Sequence, residues 1–317
     1  MASEVDETLA TEAAGRGRIA AASIAAGACT LAGGIVSTIL NNSLPGGSDR
    51  VVTLIPALQR SLQGRANPQG VLAQQVLWIG DHVAFQVLSG LLIAIATLLT
   101  LLPLRYLFVA TSARNAQQGR AAIIATVAGT VFAGVGYLVY TVAFSAEAAS
   151  FRDAAVQTSG AARDAVSGPA VQASTLLYQL GRFALALGFV LVSLNAMRTG
   201  LLTRFFGILG IISGLLLVIP LDQPGIVRSF WLIAIGLMLL GRWMGGMPPA
   251  WRTGRAEPWP TQQEIRERRE AMRRGEQVDA DVGPAANGNG ASAEPAPTPA
   301  GRPAHPSSRK RKRKRRG

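Results

Sequence analysis

Arg182 stands in a run, Ser174 to Met197, that contains no other charged side chain. A guanidinium stays protonated in proteins and costs about 2.5–3.5 kcal/mol at the centre of a lipid-crossing helix, so it requires partners. Polar residues that could reach its level are few. Asp81 and His82 open the apolar run Ile79 to Leu102, and Gln86 follows one turn deeper on the His82 face. Glu147 closes the run that starts at Ala121, while Tyr178 and Gln179 flank Arg182 on its own helix. Two chemistries fit a cluster of Arg182, Asp81, His82, Gln86 and Glu147. One is an outward-facing polar cavity that binds a solute or relays a proton. The other is an ion pair of Arg182 with Asp81 or Glu147 that holds helices in register. The pairing takes precedence, because transport sites favour the midplane and broken helices, whereas this run puts Arg182 about 12 Å of helix rise from its outer end.

Other chemistries lack their residues. Cys29 is the sole cysteine, and His82 and His305 have no second histidine or cysteine at ligand spacing. There is no phosphate-binding glycine loop ending in Lys-Ser/Thr, no Gly-x-Ser-x-Gly elbow and no dinucleotide fingerprint. No catalytic residue, metal or cofactor is therefore expected, and the chain does not read as an enzyme. Asp81 beside His82 reads as a hydrogen-bonding pair at a helix mouth.

The elements that must position these groups follow from composition. Of 317 residues, 49% are apolar and 15% charged, against about 25% charged in soluble domains. Half of the charge lies beyond position 250, which leaves the preceding chain greasy and excludes a disulfide scaffold, a coiled coil and an ordinary soluble enzyme. Six runs approach the roughly 20 residues needed to cross 30 Å of hydrocarbon: 19–40, 79–102, 121–144, 174–197, 205–221 and 226–243. The expected fold is all-α, a polytopic membrane helix bundle of about six transmembrane helices. The first run reads as a retained helix and not a cleaved signal, since its cysteine sits mid-run and its far N-terminus is acidic.

Arginines near the helix ends orient the bundle with both termini cytoplasmic, in the cell membrane. Arg16, Arg18, Arg105, Arg114, Arg120, Arg198, Arg204, Arg242, Arg252 and Arg255 fall inside, and Arg50, Arg60, Arg65, Arg152, Arg163 and Arg228 fall outside. Trp78, Tyr137, Tyr140, Tyr178 and Trp231 take the outer headgroup level, and Tyr106 and Trp243 the inner.

Small residues four apart mark close helix contacts: Ala21, Ala25, Cys29, Gly33 and Ser37; Ala125, Gly129 and Ala133; Ala184 and Gly188; Gly210 and Gly214. Asp222-Gln223-Pro224-Gly225 forms a tight turn between the last two runs. Val51, Leu54, Ile55, Leu58 and Leu62 recur at helical spacing in the first outer connection, as in a helix lying on the leaflet or a cap over the bundle. The connection Ser145 to Ala173 reads as partly helical and solvent-facing. Asn41 and Asn195 read as caps, and Pro103 and Pro220 as helix terminators.

Beyond the bundle the chain changes character. The organisation is an N-terminal cytoplasmic segment, 1–18, the helix bundle, 19–247, and a disordered basic tail, 248–317, whose composition cannot bury a core. Within the tail, Thr261 and Glu264 open a stretch to Arg274 with capping-box spacing. Arg309, Lys310, Arg311, Lys312, Arg313, Lys314, Arg315 and Arg316 form an unbroken cationic block. Tethered at the inner leaflet, it meets the lipid bilayer's anionic headgroups at about 1 kcal/mol per residue. It lacks interleaved aromatics for stacking bases, which argues against sequence-specific nucleic-acid reading, and a plain solvated charge run is the remaining alternative.

The stretch from Arg182 to Pro220 resembles part of a family of bacterial multi-span membrane proteins of no assigned function. There a short basic turn precedes an aromatic, Gly-x-x-Gly and a small residue; here these are Arg204, Phe205, Phe206, Gly207, Gly210 and Gly214, with Thr203 where the family has proline. The resemblance implies a six- or seven-helix bundle and no catalytic residues. The functional expectation is a structural or regulatory membrane protein with a polybasic tail. The alternative is a small-solute transporter or sensor with an outward-facing polar cavity. The oligomeric state is left open.

Overall fold

The computed structural model describes residues 2–44, 62, 71–115, 119–219, 221, 222, 224–244, 246–259 and 262–274. The cationic block 309–316, and all but Leu62 of the amphipathic stretch 51–62, lie outside them. The described residues are all helical or irregular, without strands. In chain order the helices are α1 (Ala2–Ser43), α2 (Val71–Asp81), α3 (Val83–Arg114), α4 (Ala121–Arg152), α5 (Ser159–Val166), α6 (Pro169–Arg198), α7 (Arg204–Val218), α8 (Ile226–Leu239), α9 (Ala250–Thr253) and α10 (Gln262–Arg274).

Four of these, α1, α3, α4 and α6, are long and apolar enough to cross a membrane. The runs 205–221 and 226–243 become α7 and α8, of 15 and 14 residues. At about 1.5 Å per residue they rise only about 21–22 Å, less than the hydrocarbon thickness, so they are apolar but do not join the four helices long enough to cross. The other helices outrun their apolar segments. Helix α4 continues through alanine and serine to Arg152, α6 begins at Pro169, and α3 passes through Pro103 to Arg114. Pro103 is thus an interior residue and not a terminator, as neighbouring helices allow in apolar surroundings.

The outer faces of the bundle are apolar, unlike those of a soluble bundle. Leu91, Ile95, Leu98 and Leu102 on α3, Val127, Val131, Val135 and Val139 on α4, and Leu176, Leu180, Phe183 and Leu187 on α6 are exposed. Buried against one another are glycines, alanines and hydroxyl residues, among them Ser23, Thr30, Thr126, Thr130 and Ser193. Apolar outer faces with small residues at the helix contacts, around larger buried side chains such as Trp231, Phe189 and Phe206, are the arrangement that lipid favours, because packing and not the hydrophobic effect draws such helices together. The closest seam joins α4 to α6. A Cβ on Gly129 would overlap the Leu185 main-chain nitrogen, and one on Gly181 would overlap that of Ala133.

The expected seam residues hold on α4 and α6 and shift on α1. On α6 the contact uses Gly181, Ala184 and Gly188, the Ala184 main chain lying against Gly129. On α1 it uses Ala20, Ser23, Ala26, Thr30 and Gly33, while Ala21 and Ala25 are exposed and Cys29 is half-buried. The expected stripe was rotated by about one residue.

One end of the bundle is tied shut. Glu12 and Arg114 form a buried ion pair at 2.6 Å, and Arg114 also donates to the Ala250 carbonyl. Trp251 stacks on Tyr106, lies under the guanidinium groups of Arg16 and Arg114, and donates to the Leu201 carbonyl at 2.8 Å. Trp259 donates to the carbonyl of Leu202, and the Glu257 amide to that of Thr199. The packed chain therefore extends to Trp259, past the boundary expected at 247, because two indoles find apolar seats and main-chain acceptors on the 199–202 turn. Only beyond it does the chain become an exposed polar helix, α10, over the stretch expected to be a solvated helix.

At the opposite end, α2, α5 and the last turns of α4 pack through Ala73, Val76, Ala148, Phe151 and Ala162. This cap lies on the side to which α1 and α4 point their C-termini. Thr158 caps α5 by accepting from the Ala161 amide.

Candidate functional site

Helices α7 and α8 form a hairpin whose tip does not reach the cap. The Asp222 carboxylate accepts from the Ile226 and Val227 amides at 2.8 and 2.9 Å, starting α8. Gly225 supplies the left-handed turn, with φ of 70°. The Pro224 main chain presses on α1 where Gly34 leaves no room for a Cβ. Gly34 is nine residues before the end of α1, so the tip sits about 13 Å of helix rise below that end.

Arg182 meets this tip. It lies thirteen residues after Pro169 and sixteen before Arg198, at mid-length of α6 and deeper than the run 174–197 implied. Its Nε donates to the Leu217 carbonyl at 2.8 Å, a second guanidinium nitrogen donates to the same oxygen, and Nη1 donates to Gln179 at 3.0 Å. Leu217 belongs to the last turn of α7, whose carbonyls have no partner within the helix. The guanidinium also lies over the Tyr178 ring, 5.3 Å from its centroid.

The remaining members of the expected cluster are elsewhere. Asp81 ends α2 and is exposed. His82 forms the joint between α2 and α3, its Nδ1 bonded to the Trp78 carbonyl at 2.8 Å and its ring stacked on Trp78. Gln86 is half-buried in the first turn of α3, and Glu147 is half-buried on α4, facing Gly168. Among the described residues no ion pair joins Arg182 to Asp81 or Glu147; Glu12 pairs with Arg114, and Arg152 with Asp153. Hydrogen bonding and charge attraction from Arg152 hold the Asp153 carboxyl below its usual range. The pairing expected for Arg182 is corrected: an unfilled main-chain acceptor at mid-depth, created by the early end of α7, claims the guanidinium first.

What Arg182 borders is a cavity of about 260 Å³. Tyr137 from α4, Tyr178 and Arg182 from α6, Ser213 and Leu217 from α7, and Asp222 and Arg228 from the hairpin line it. Ser37, Thr38 and Asn41 on α1 continue the lining to exposed Asn41. The Arg228 Nε is buried without a hydrogen-bond partner among the described residues. Two guanidinium groups thus line a space with one carboxylate, and that carboxylate is already engaged by helix amides. The charged groups of the lining sum to a net positive charge. No cluster of three metal-ligating side chains occurs among the described residues.

Sequence reasoning named Arg182, with Tyr178 beside it, and missed the rest of the lining: Arg228 reads there only as an outer charge, Tyr137 only as a headgroup aromatic and Asp222 only as part of the turn. The available signal was an arginine within a run otherwise read as lipid-crossing. Trp231, expected at the outer headgroup level, is fully buried and donates to the Phe206 carbonyl at 2.9 Å. No protein family, curated protein or solved structure matches the chain.

Proposed function

We propose that this is a multi-pass membrane protein, without enzymatic activity, that binds a small anionic solute in an outward-facing cavity, as a transporter or sensor. The observation that carries this reading is the Arg228 side chain, with an unpartnered buried Nε, in the same cavity as Arg182. Arg114, held in a structural ion pair, completes its hydrogen bonds within the protein, whereas the buried Nε of Arg228, like that of Arg16 at the opposite end, has no partner among the described residues, and Arg228 alone of the two borders the cavity. Two short helices meeting at mid-depth beside the cavity are also the device by which membrane proteins present polar groups to a solute.

The orientation belongs to the same proposal: four full spans plus the α7–α8 hairpin return the chain to its starting side. The meeting of Glu12 with Arg114 and Trp251 at one end supports it, and arginine placement makes that end cytoplasmic. On this reading the membrane is the cell membrane, the cationic block 309–316 rests on anionic headgroups, and the resemblance to bacterial multi-span proteins reflects kinship.

The test is the melting temperature of the detergent-purified chain against sodium acetate at constant ionic strength. A saturable rise in the wild type that is lost in Arg228→Gln is expected. No rise, or an equal rise in both proteins, contradicts anion binding at this site.

A further inference from the structure

We infer that the anion is the head of an amphiphile, whose hydrocarbon tail runs from the arginine cavity into the groove beneath the cap; this rests on the anion-binding reading above. A second cavity, of about 340 Å³, lies between α2, α5 and the cap-end halves of α4 and α6, walled by residues such as Leu72, Val76, Ile79, Phe144 and Val171. Its lining is mostly hydrocarbon and aromatic, with Gln75, Thr175 and Tyr140 the polar members, and it carries no charged side chain, unlike that of the arginine cavity. A file of rings runs from the lining of the one to the lining of the other. Tyr178 carries the Arg182 guanidinium on its face, Tyr137 follows at 5.0 Å, Tyr140 at 6.3 Å and Phe144 at 5.7 Å. Tyr137 lines the first cavity, and Tyr140 and Phe144 line the second.

From Tyr137 to Phe144 the file climbs seven residues of α4, about 10 Å, the reach of a medium-length alkyl chain. Tyrosine suits such a path, with an apolar ring for the chain and a hydroxyl tolerant of the polar head. The net charge of the head site, two guanidinium groups against the Asp222 carboxylate, matches a single negative charge. A hydrophilic anion would leave the ring file and the apolar cavity without a role. A single-chain amphiphile with a monoanionic head uses every part.

The experiment extends the acetate titration to hexanoate, octanoate and decanoate, below their micellar concentrations, on the full chain in detergent, with decyltrimethylammonium as the charge-reversed control. The half-saturating concentration should fall roughly fourfold for each added methylene, in keeping with full burial of a CH2 group, and the cation should give no stabilisation. Thr175→Trp on α6 and Leu72→Trp on α2 each place an indole in the apolar cavity from a different helix. Both should flatten the chain-length dependence while retaining the acetate response. A wild-type response to acetate that does not strengthen with chain length overturns the amphiphile and leaves anion binding standing. Failure of every anion to stabilise the wild type overturns both. An unchanged chain-length dependence in the two tryptophan variants places the tail elsewhere and overturns the inference.

Discussion

Arg182, at mid-length of α6, donates twice to the main-chain carbonyl of Leu217 in the last turn of α7. This contact fixes the hairpin tip at the level of the cavity and neutralises part of the negative end of the α7 dipole. Arg182→Leu should lower the melting temperature in detergent, because the buried Leu217 carbonyl loses its donors at a cost of about 1–3 kcal/mol. Arg182→Lys, which keeps one donor, should recover part of that loss. Equal melting temperatures for wild type and Arg182→Leu would show that the carbonyl needs no side-chain partner.

The Glu12–Arg114 pair should behave as a buried ion pair. Arg114 is fully enclosed and Glu12 nearly so. Glu12→Leu alone should destabilise by about 3–5 kcal/mol, as should Arg114→Leu alone, since either leaves a buried charge without its partner. The double variant should recover much of the loss. Urea or thermal unfolding of the four proteins as a double-mutant cycle measures the coupling, and additive single effects would mean that the two groups do not interact.

The α4–α6 seam leaves no space for side chains at its glycines. Gly129→Leu or Gly181→Leu should abolish the monodisperse peak in size-exclusion chromatography, because the added side chain meets the backbone of the facing helix and not a flexible side chain. Val131→Leu, on the exposed face of the same helix, should elute as wild type. The reverse result would invert the assignment of inner and outer faces.

Much of the scaffold was legible in the sequence, for a physical reason. Uncharged runs of lipid-crossing length report directly on burial in hydrocarbon, and 79–102, 121–144 and 174–197 all lie largely within helices that are long enough to span. Helix ends were less legible. Hydropathy falls at Ser145 and rises at Ser174, yet alanine-rich flanks carry α4 and α6 further, since helix propensity outlasts apolarity. The face of α1 was misjudged because alanine and glycine occur on every side of it, so periodicity carries little information. Arg182 was recognised as costly, but its partner is a carbonyl, and which carbonyl is orphaned depends on where α7 stops. No pattern of side chains records that. The same holds for Arg228, which enters the cavity only because the hairpin turns at Pro224 and Gly225.

Orientation can be read with fusions. Alkaline phosphatase joined after Gly160, in the cap, should be active in intact cells, whereas a fusion after Gly200, in the turn under Trp251, should not. The opposite pattern would invert the molecule in the membrane and turn the cavity inward.

The tail can be addressed by its salt dependence. The full chain and a version ending at Arg274 should differ in their capture of anionic over neutral vesicles from the side bearing the tail, and the difference should fade as salt rises and screens the cationic block. Equal capture by both proteins would remove headgroup association.

The most direct measurement is the accessibility of the arginine cavity from outside the cell. In a Cys29→Ala background, Thr38→Cys places one thiol on the α1 wall of the cavity. A membrane-impermeant thiol reagent added to intact cells should label it, and acetate or decanoate should slow that labelling in proportion to occupancy of the site. Labelling that appears only after the cells are permeabilised, or that proceeds at the same rate with and without the anions, would contradict an outward-facing, anion-binding cavity.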